Sequence, residues 1–279
     1  MAERKEIAKR IYRHLRARQK IEHAWEDWSE YREALTEYLL KYTESGTTVA
    51  IFGAGECNDL NLRKLTEHFS NVMLYDYDEA ALQEAVMRYG LEGDERLRWK
   101  TCDFAGITTE EYMEYAELLL MQNESGEINE SLLLQKLECI YQAASERTPD
   151  FGTECYDYAI AIGIDSQLNN MAEWLRQTIS GAAGDALTER IGMENERIVQ
   201  RFHDRILGIT RRQLFLGCER ERLGMSGAIE GALQAFWDIE DRLTQKELQL
   251  INGFVIDWPF DWKQEIIYRM EIMNLKKLQ

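Results

Sequence analysis

Residues 48–60, TVAIFGAGECNDL, constrain the fold of this chain more than any other segment. Four consecutive apolar residues, 49–52, predict a strand that is buried on both faces, as in a parallel sheet. Gly53 and Gly55 end the strand, and helical spacing resumes over residues 58–68. A strand, a glycine turn and a helix in this order predict a helix N-terminus whose N–H groups face the carboxyl end of the strand. Open α/β sheets bind nucleotides at that position.

Two further strand units follow the first. Residues 71–75 predict a second strand that ends at Asp76, roughly 20 residues beyond the glycines, where a carboxylate can accept both ribose hydroxyls. Asp78 is instead expected to be the N-cap of the next helix. Residues 97–101 predict a third strand, which leads into the sequence CDF at 102–104. The order of these units predicts a nucleotide-binding α/β sheet.

The glycine pattern indicates which nucleotide derivative the turn accepts. A dinucleotide fingerprint, G-x-G-x-x-G, requires a glycine where this chain has Asn58. Glu56 and Asp59 are acidic, so the turn would repel a pyrophosphate and would accept a ligand that carries an ammonium and a sulfonium. An NAD-dependent oxidoreductase is therefore disfavoured. A positively charged adenosine derivative is the favoured ligand.

Four motifs in this order resemble those of the class I S-adenosylmethionine-dependent methyltransferases: FGAGECNDL, YDYD, CDF and YDYAIAIGI. An aromatic hairpin near the C-terminus follows them, and the resemblance covers about residues 46–107 and 150–275. Cys57 stands where the family usually has its third glycine. The resemblance implies S-adenosyl-L-methionine as the cofactor and transfer of its methyl group to an acceptor. A non-catalytic protein that only binds this cofactor is the alternative.

The resemblance also implies the architecture. The expected fold class is α/β, with a Rossmann-like methyltransferase sheet that is mostly parallel and ends in a C-terminal antiparallel hairpin. We expect an N-terminal helical extension over residues 1–45 and a methyltransferase domain over residues 46–279. A helical insertion is expected within that domain at about residues 108–149. The acidic charges of the insertion are typical of a solvated face, and a lid or a dimerisation hairpin is the alternative.

Site residues follow from the same resemblance. Asp76 would hold the ribose, Asp103 would accept the adenine amino group, and the backbone of residues 53–55 would hold the methionine part. The cofactor-binding candidates are Gly53, Ala54, Gly55, Glu56, Asp59, Asp76, Tyr77, Asp103, Phe104 and Gly163. The substrate-binding candidates, which follow the fourth and fifth strands, are Asp165, Gln167, Asn169 and Glu219. The alternative for Asp165 is that it caps the next helix. No catalytic residue is assigned, because positioning and desolvation supply most of the acceleration in such a reaction.

Charge limits the substrates and partners. The formal net charge is −17, which weighs against a nucleic-acid substrate because its phosphates would be repelled. A small neutral or cationic acceptor is expected instead. Residues 1–20 are basic and could bind anionic lipid or RNA, but we expect them to lie against the acidic body of this chain or of a second copy, which leaves a homodimer open. Trp25, Trp28 and Tyr31 either pack in the core or roof a substrate pocket.

The cysteines, the histidines and the lengths of the apolar runs predict neither a metal site nor a membrane span. The five cysteines are scattered, which is typical of reduced thiols and a cytoplasmic location. The four histidines lack metal-ligand spacing, and His203 is expected to be structural. No apolar run approaches ~18 residues, and the N-terminus does not read as a secretory signal.

Overall fold

One mixed sheet organises the molecule. The structure, a computed structural model, describes residues 2–18, 20–181, 184–225, 227 and 229–278. Within these residues the strands are β1 Thr48–Phe52, β2 Asn71–Asp76, β3 Leu97–Thr101, β4 Tyr156–Ile162, β5 Thr210–Arg222, β6 Leu248–Asp261 and β7 Ile266–Lys277. Their order in the sheet is β3-β2-β1-β4-β5-β7-β6. Strands β1 to β5 are parallel, and β7 is antiparallel to both β5 and β6. This arrangement confirms the predicted Rossmann-like sheet and its C-terminal antiparallel hairpin.

Apolar side chains cover both faces of the sheet because the central strands are apolar without alternation. In β1, Val49 and Ile51 belong to one buried cluster, together with Tyr31, and Ala50 and Phe52 belong to the cluster on the other face. The helices complete these two layers. They are α1 Ala2–Ala17, α2 Ala24–Asp27, α3 Ser29–Lys41, α4 Leu62–His68, α5 Glu79–Arg88, α6 Thr109–Ser125, α7 Glu130–Glu146, α8 Asn170–Ser180, α9 Asp185–Gly208 and α10 Ala232–Thr244.

The turn after β1 differs from the prediction. Helix α4 begins at Leu62, later than the expected start near residue 58, and Asn61 caps it by accepting a hydrogen bond from the Lys64 N–H. Cys57 has a φ of 50°, which breaks the helical path before that cap. The prediction of a helix N-terminus directly behind the glycines is therefore wrong. An irregular turn occupies that place.

Helix α1 packs on helices that follow β3 and β4. It contacts α6 and α8, and its Ala8, Tyr12 and Leu15 side chains are buried in the same cluster as side chains of α6 and α7. Arg4 of α1 forms an ion pair with Glu124 of α6 at 2.8 Å. The basic helix thus lies against the acidic surface of its own chain. Among the described helices, none is long and apolar enough to cross a bilayer.

Candidate active site at the carboxyl edge of the sheet

The carboxyl ends of five strands form one continuous edge. Phe52 at the end of β1 is paired with Tyr75 of β2 and with Ala161 of β4, and Ile162 of β4 is paired with Gly217 of β5. Neighbouring strands lie ~4.8 Å apart, so residues that follow them are also neighbours. Along this edge, in sheet order, lie Asp103, Asp76, Gly53, Gly163 and Glu219.

The topological switch point lies between β1 and β4. The chain passes from β1 to β2 on one side and returns to β4 on the other, which leaves a crevice outside these two strand ends. Gly53 has a φ of 72°, and a Cβ built on it would lie 2.7 Å from Cδ1 of Ile164. Only glycine fits this close approach, because a side chain would collide with the segment after β4.

The glycine turn and Asp76 converge in this crevice. One carboxylate oxygen of Asp76 accepts the Gly55 N–H at 2.8 Å, and the other accepts the Asp78 N–H at 2.8 Å. The N–H groups of Gly53 and Ala54 are both directed at the Tyr75 carbonyl, at 2.9 and 3.1 Å. Burial raises the pKa of Asp76 above its ordinary value. Asp78 caps α5, as predicted, by accepting the N–H groups of two residues in the first turn.

Residues after β3 extend the edge. The Asp103 carboxylate accepts the N–H groups of Ala105 and Gly106 at 3.0 and 2.9 Å, and burial raises its pKa. Phe104 is buried, and its ring centroid lies 5.4 Å from that of Phe202, so it packs in the core beneath the edge. We call residues 53–55 together with Asp76 and Asp103 the cofactor half of the edge, after the ligand that the sequence analysis predicts for them.

The N-terminal segment also reaches this half. The Tyr77 hydroxyl is 2.8 Å from Oγ1 of Thr109, and the Arg16 guanidinium lies 4.7 Å from the centre of the Tyr77 ring. Glu56 forms ion pairs with Lys20 at 2.6 Å and with Arg88 at 3.0 Å. The sequence analysis expected Glu56 to make the turn repel a pyrophosphate, but in the structure two cations neutralise the charge of Glu56.

Asp59 behaves differently from Glu56. It is partly buried, and burial raises its pKa to about 7, while its own backbone N–H and the charge of Arg32 lower it. Its charge also affects Tyr31 of α3. Burial raises the pKa of the Tyr31 hydroxyl well above its ordinary value, and the charges of Asp59 and Glu219 raise it further. Tyr31, Asp59 and Glu219 therefore share one region of the site.

A buried network holds the segment after β4. Asp165 contacts Nε2 of His203 at 3.1 Å and accepts a weak hydrogen bond from the Cys218 thiol at 3.6 Å. Nδ1 of His203 lies 2.7 Å from Asp238, which also accepts a hydrogen bond from Arg242. Burial alone would lower the pKa of His203, but Asp165 and Asp238 outweigh it and raise the pKa to about 9.

This network changes the interpretation of Asp165. The carboxylate of Asp165 is turned towards His203 and Cys218, and α8 begins after Asn169, so Asp165 is not the helix cap proposed as its alternative. His203 was expected to be an isolated structural histidine. It lies instead between two carboxylates from distant segments, and no local sequence pattern could have indicated that contact.

A cavity of about 390 Å³ adjoins the ends of β4 and β5. All the predicted substrate-binding residues line it: Asp165, Gln167, Asn169 and Glu219. The Asn169 amide donates to Asn195 at 2.7 Å and to Tyr141 at 3.3 Å, and the Gln167 amide donates to Ser166 at 2.9 Å. The structure therefore brings these four residues to one cavity. A cavity of this size accommodates a small molecule.

Glu219 has a buried carboxylate whose two oxygens differ in their hydrogen bonding. Its side chain is 4% exposed, and its Oε1 accepts a hydrogen bond from the Ser166 hydroxyl at 2.8 Å. Its Oε2 is buried and has no hydrogen-bond partner among the described residues. Burial raises the pKa of Glu219 to about 7, against the opposing effect of the Ser166 hydrogen bond.

Two aromatic residues beside Glu219 have the same property. The Tyr31 hydroxyl and the Trp258 indole N–H are buried without a partner in the described part of the chain. Tyr31 stacks on Trp258 with 5.7 Å between ring centroids, and Trp258 lies over Gly163, where an added Cβ would be 3.3 Å from the indole ring and 3.8 Å from Glu219 Oε1. Unsatisfied buried groups of this kind cost ~1–3 kcal/mol each. We call Tyr31, Gly163, Glu219 and Trp258 the acceptor half of the edge, after the substrate that the sequence analysis predicts at Glu219.

Comparisons with known proteins find similarity in structure and no match in sequence. No protein-family model matches the chain, and no curated protein matches it. Solved structures that align with it include magnesium protoporphyrin IX methyltransferase from Synechocystis PCC 6803 with bound SAH, at 14% identity over 89% of this chain and 82% of that one, with a TM-score of 0.48. An N-methyltransferase from Bradyrhizobium japonicum WM9 in complex with SAH aligns at 12% identity over 96% and 99% of the two chains, with a TM-score of 0.49.

These values do not by themselves assign a cofactor or a substrate. The fold class rests instead on the strand order of this chain and on the antiparallel β7 between β5 and β6.

Proposed function

We propose that this protein is an S-adenosylmethionine-dependent methyltransferase that acts on a small molecule. The observation that carries the proposal is the convergence of the Gly55 N–H and the Asp76 carboxylate, 2.8 Å apart, at the switch point of the sheet. A carboxylate at the tip of the second strand is suited to the two ribose hydroxyls of an adenosine derivative.

The residues of the cofactor half fit this ligand. Asp76 binds the ribose, Asp103 accepts the adenine amino group, and the backbone of residues 53–55 holds the methionine part. The sulfonium of the cofactor supplies the methyl group. The cavity beside β4 and β5 receives the acceptor. Positioning and exclusion of water supply the acceleration.

Calorimetry with S-adenosylhomocysteine tests the proposal. The wild-type protein is expected to bind it, and Asp76→Ala is expected to weaken binding by about 100-fold or more. Two hydrogen bonds to a charged acceptor are lost, each contributing ~1.5–3 kcal/mol.

Asp78→Ala is the matched control. Asp78 also accepts backbone N–H groups, but these belong to the first turn of α5, which it caps. This variant should lose ~1 kcal/mol of stability and keep its affinity for S-adenosylhomocysteine. Absence of binding by the wild type, or equal losses in the two variants, would refute the proposal. Tight binding of NAD in its place would establish an oxidoreductase.

A further inference from the structure

The cavity beside β4 and β5 has an acidic lining. Its ionisable lining residues are the carboxylic acids Asp165, Glu173, Glu219 and Glu230 and the phenol Tyr268, and none of its lining residues within the described chain is Lys, Arg or His. A cavity with this lining attracts cations and repels anions. An acidic lining alone does not define a binding site. What the cavity binds depends on which of its carboxylates already have hydrogen-bond or ion-pair partners.

Three of the carboxylates already have partners. Asp165 contacts His203 and Cys218, Glu173 forms a bidentate ion pair with Arg176, and Glu230 accepts hydrogen bonds from Asn195 and Gln234. Glu219 differs from them, because its buried Oε2 has no partner in the described structure. Its Oε1 accepts the hydroxyl of Ser166, and both residues line the cavity. Among the four carboxylates that line the cavity, Glu219 is thus the one with a buried oxygen that a ligand would satisfy.

The surroundings of Glu219 suit a cation next to the reacting centre. Phe260 and Tyr268 line the cavity with it, and aromatic rings attract cations. Glu219 lies within β5, beside Gly163, which follows β4 at the switch point where the methyl group would be delivered. A nitrogen bound by Glu219 would therefore lie near that methyl group.

We infer that the methyl acceptor is a small amine carrying an apolar group, which Glu219 binds as the ammonium ion and deprotonates before methyl transfer. This inference rests on the proposed function and names the substrate class of the same site. The apolar group would contact the aromatic and aliphatic lining, which includes Trp174, Ile191 and Phe260.

The reaction balances without a further reactant. The ammonium gives one proton to the Glu219 carboxylate, which leaves a neutral amine with a free electron pair. That pair forms the N–C bond while the C–S bond breaks, and the electrons of the broken bond stay on sulfur. The product is a methylated ammonium that keeps one positive charge, and the proton on Glu219 passes to solvent.

Glu219 is suited to this proton transfer. Burial raises its pKa to about 7, close to the pH at which a base is most effective. The titratable groups that face it are Asp165, the thiol of Cys218 on β5, Tyr31 of α3 and Tyr268 of β7. None of these is a cation that would hold Glu219 ionised at lower pH. Transfer should therefore rise with pH through about 7.

The test uses three matched series of probes with the protein saturated with S-adenosylhomocysteine. The series are benzylamine, benzyl alcohol and benzoate; phenethylamine, 2-phenylethanol and phenylacetate; and tryptamine, tryptophol and indole-3-acetate. Calorimetry should show each amine that binds to be at least about tenfold tighter than its alcohol, and the acid to be the weakest. With labelled S-adenosylmethionine, the bound amine should be methylated, at a rate that rises with pH through about 7.

Two variants separate the role of Glu219 from general acidity. Glu219→Gln should keep its affinity for S-adenosylhomocysteine, lose the preference for the amine to within about threefold, and lose the rise in rate with pH. Glu221→Gln is the matched control, because Glu221 lies on the same strand but is exposed and paired with Arg269. It should behave as the wild type.

Several results would overturn the inference. They are equal binding of alcohol and amine, equal behaviour of the two variants, or no binding of any probe to the cofactor-loaded protein. Failure of the wild type to bind S-adenosylhomocysteine is a different outcome, because it refutes the proposed function itself.

Discussion

The two halves of the carboxyl edge differ in how their polar groups are satisfied. In the cofactor half, the Asp76 and Asp103 carboxylates accept backbone N–H groups, all of them close to the strand ends. In the acceptor half, Tyr31, Glu219 and Trp258 each keep a buried polar atom that has no partner within the described chain. The cofactor half is thus complete before any ligand binds. The acceptor half is not.

This difference follows from the origin of the residues. The cofactor half is built from strand–turn units in which each carboxylate directly follows its strand, so local hydrogen bonds fix the geometry. The acceptor half joins α3, β4, β5 and β6, which come together only in the folded chain. Its unsatisfied groups cost free energy, and buried groups without partners concentrate where a ligand is to be bound. A ligand that donates hydrogen bonds would relieve that cost.

Removing His203, which lies between Asp165 and Asp238 next to the acceptor half, should have the largest effect on stability. His203→Ala leaves Asp165 and Asp238 buried without the imidazolium between them, and the free energy of unfolding should fall by ~3–5 kcal/mol. Urea denaturation measures this. His68→Ala is the control, because His68 is only partly buried and its ring contacts a threonine hydroxyl and the adjacent Phe69 ring. It should cost less than about 1 kcal/mol. Equal losses of stability in the two variants would show that the contacts of His203 with Asp165 and Asp238 do not stabilise the acceptor half.

The same histidine sets a pH window. The folded-state pKa of His203 is raised from 6.5 to about 9, so its contribution is fully present below pH 6.5 and is lost as pH rises through 9. The wild type should lose up to ~3 kcal/mol of stability across this window, and His203→Ala should not. A flat difference between the two proteins from pH 6 to pH 9 would contradict the raised pKa.

The sequence allowed the cofactor half to be predicted better than the acceptor half. The glycine turn, the acidic tip of β2 and the Asp78 cap are contiguous patterns, and each depends on contacts within a few residues or between adjacent strands. The start of α4 was missed because Asn61 caps the helix and Cys57 adopts a left-handed backbone, and neither is indicated by apolar spacing. The pairing of Glu56 with Lys20 and Arg88 depends on tertiary contacts, as does that of His203 with two aspartates.

The contact between Tyr31 and Trp258 could not be predicted from the sequence either. The sequence offered core packing or the roof of a substrate pocket for Tyr31, and an edge hairpin for Trp258. The structure stacks these two rings, which are 227 residues apart in the chain, over the end of β4. Aromatic spacing along a helix or strand does not reveal which polar atom of a ring lacks a partner, because that depends on every segment packed around it.

The incomplete state of the acceptor half predicts a second effect on stability. Burial raises the pKa of Glu219 from 4.5 to about 7, so ionisation of the folded protein is penalised, and stability falls as pH rises from 4.5 through 7. Glu219→Gln removes this penalty. The variant should equal the wild type near pH 4 and exceed it by up to ~3 kcal/mol at pH 8 in urea denaturation.

The exposed Glu221 again provides the control, since Glu221→Gln should leave the pH dependence unchanged. A Glu219→Gln variant that is less stable than the wild type at pH 8 would mean that the carboxylate has a stabilising partner. The two halves of the edge would then not differ in the way described above.

The smallest expected effect concerns Asp103 in the cofactor half. Asp103→Ala removes one acceptor for the adenine amino group, and the affinity for S-adenosylhomocysteine should fall about tenfold, as for one hydrogen bond worth ~1.4 kcal/mol. It also removes the acceptor of the Ala105 and Gly106 N–H groups, which should cost ~1 kcal/mol of stability. Asp94→Ala is the matched control, because Asp94 accepts the Arg96 N–H in the turn that precedes β3, at the opposite end of that strand. Calorimetry should show a loss of affinity only in Asp103→Ala. Equal affinities in the two variants would mean that the Asp103 carboxylate does not bind the ligand, and the cofactor half would then end at Asp76.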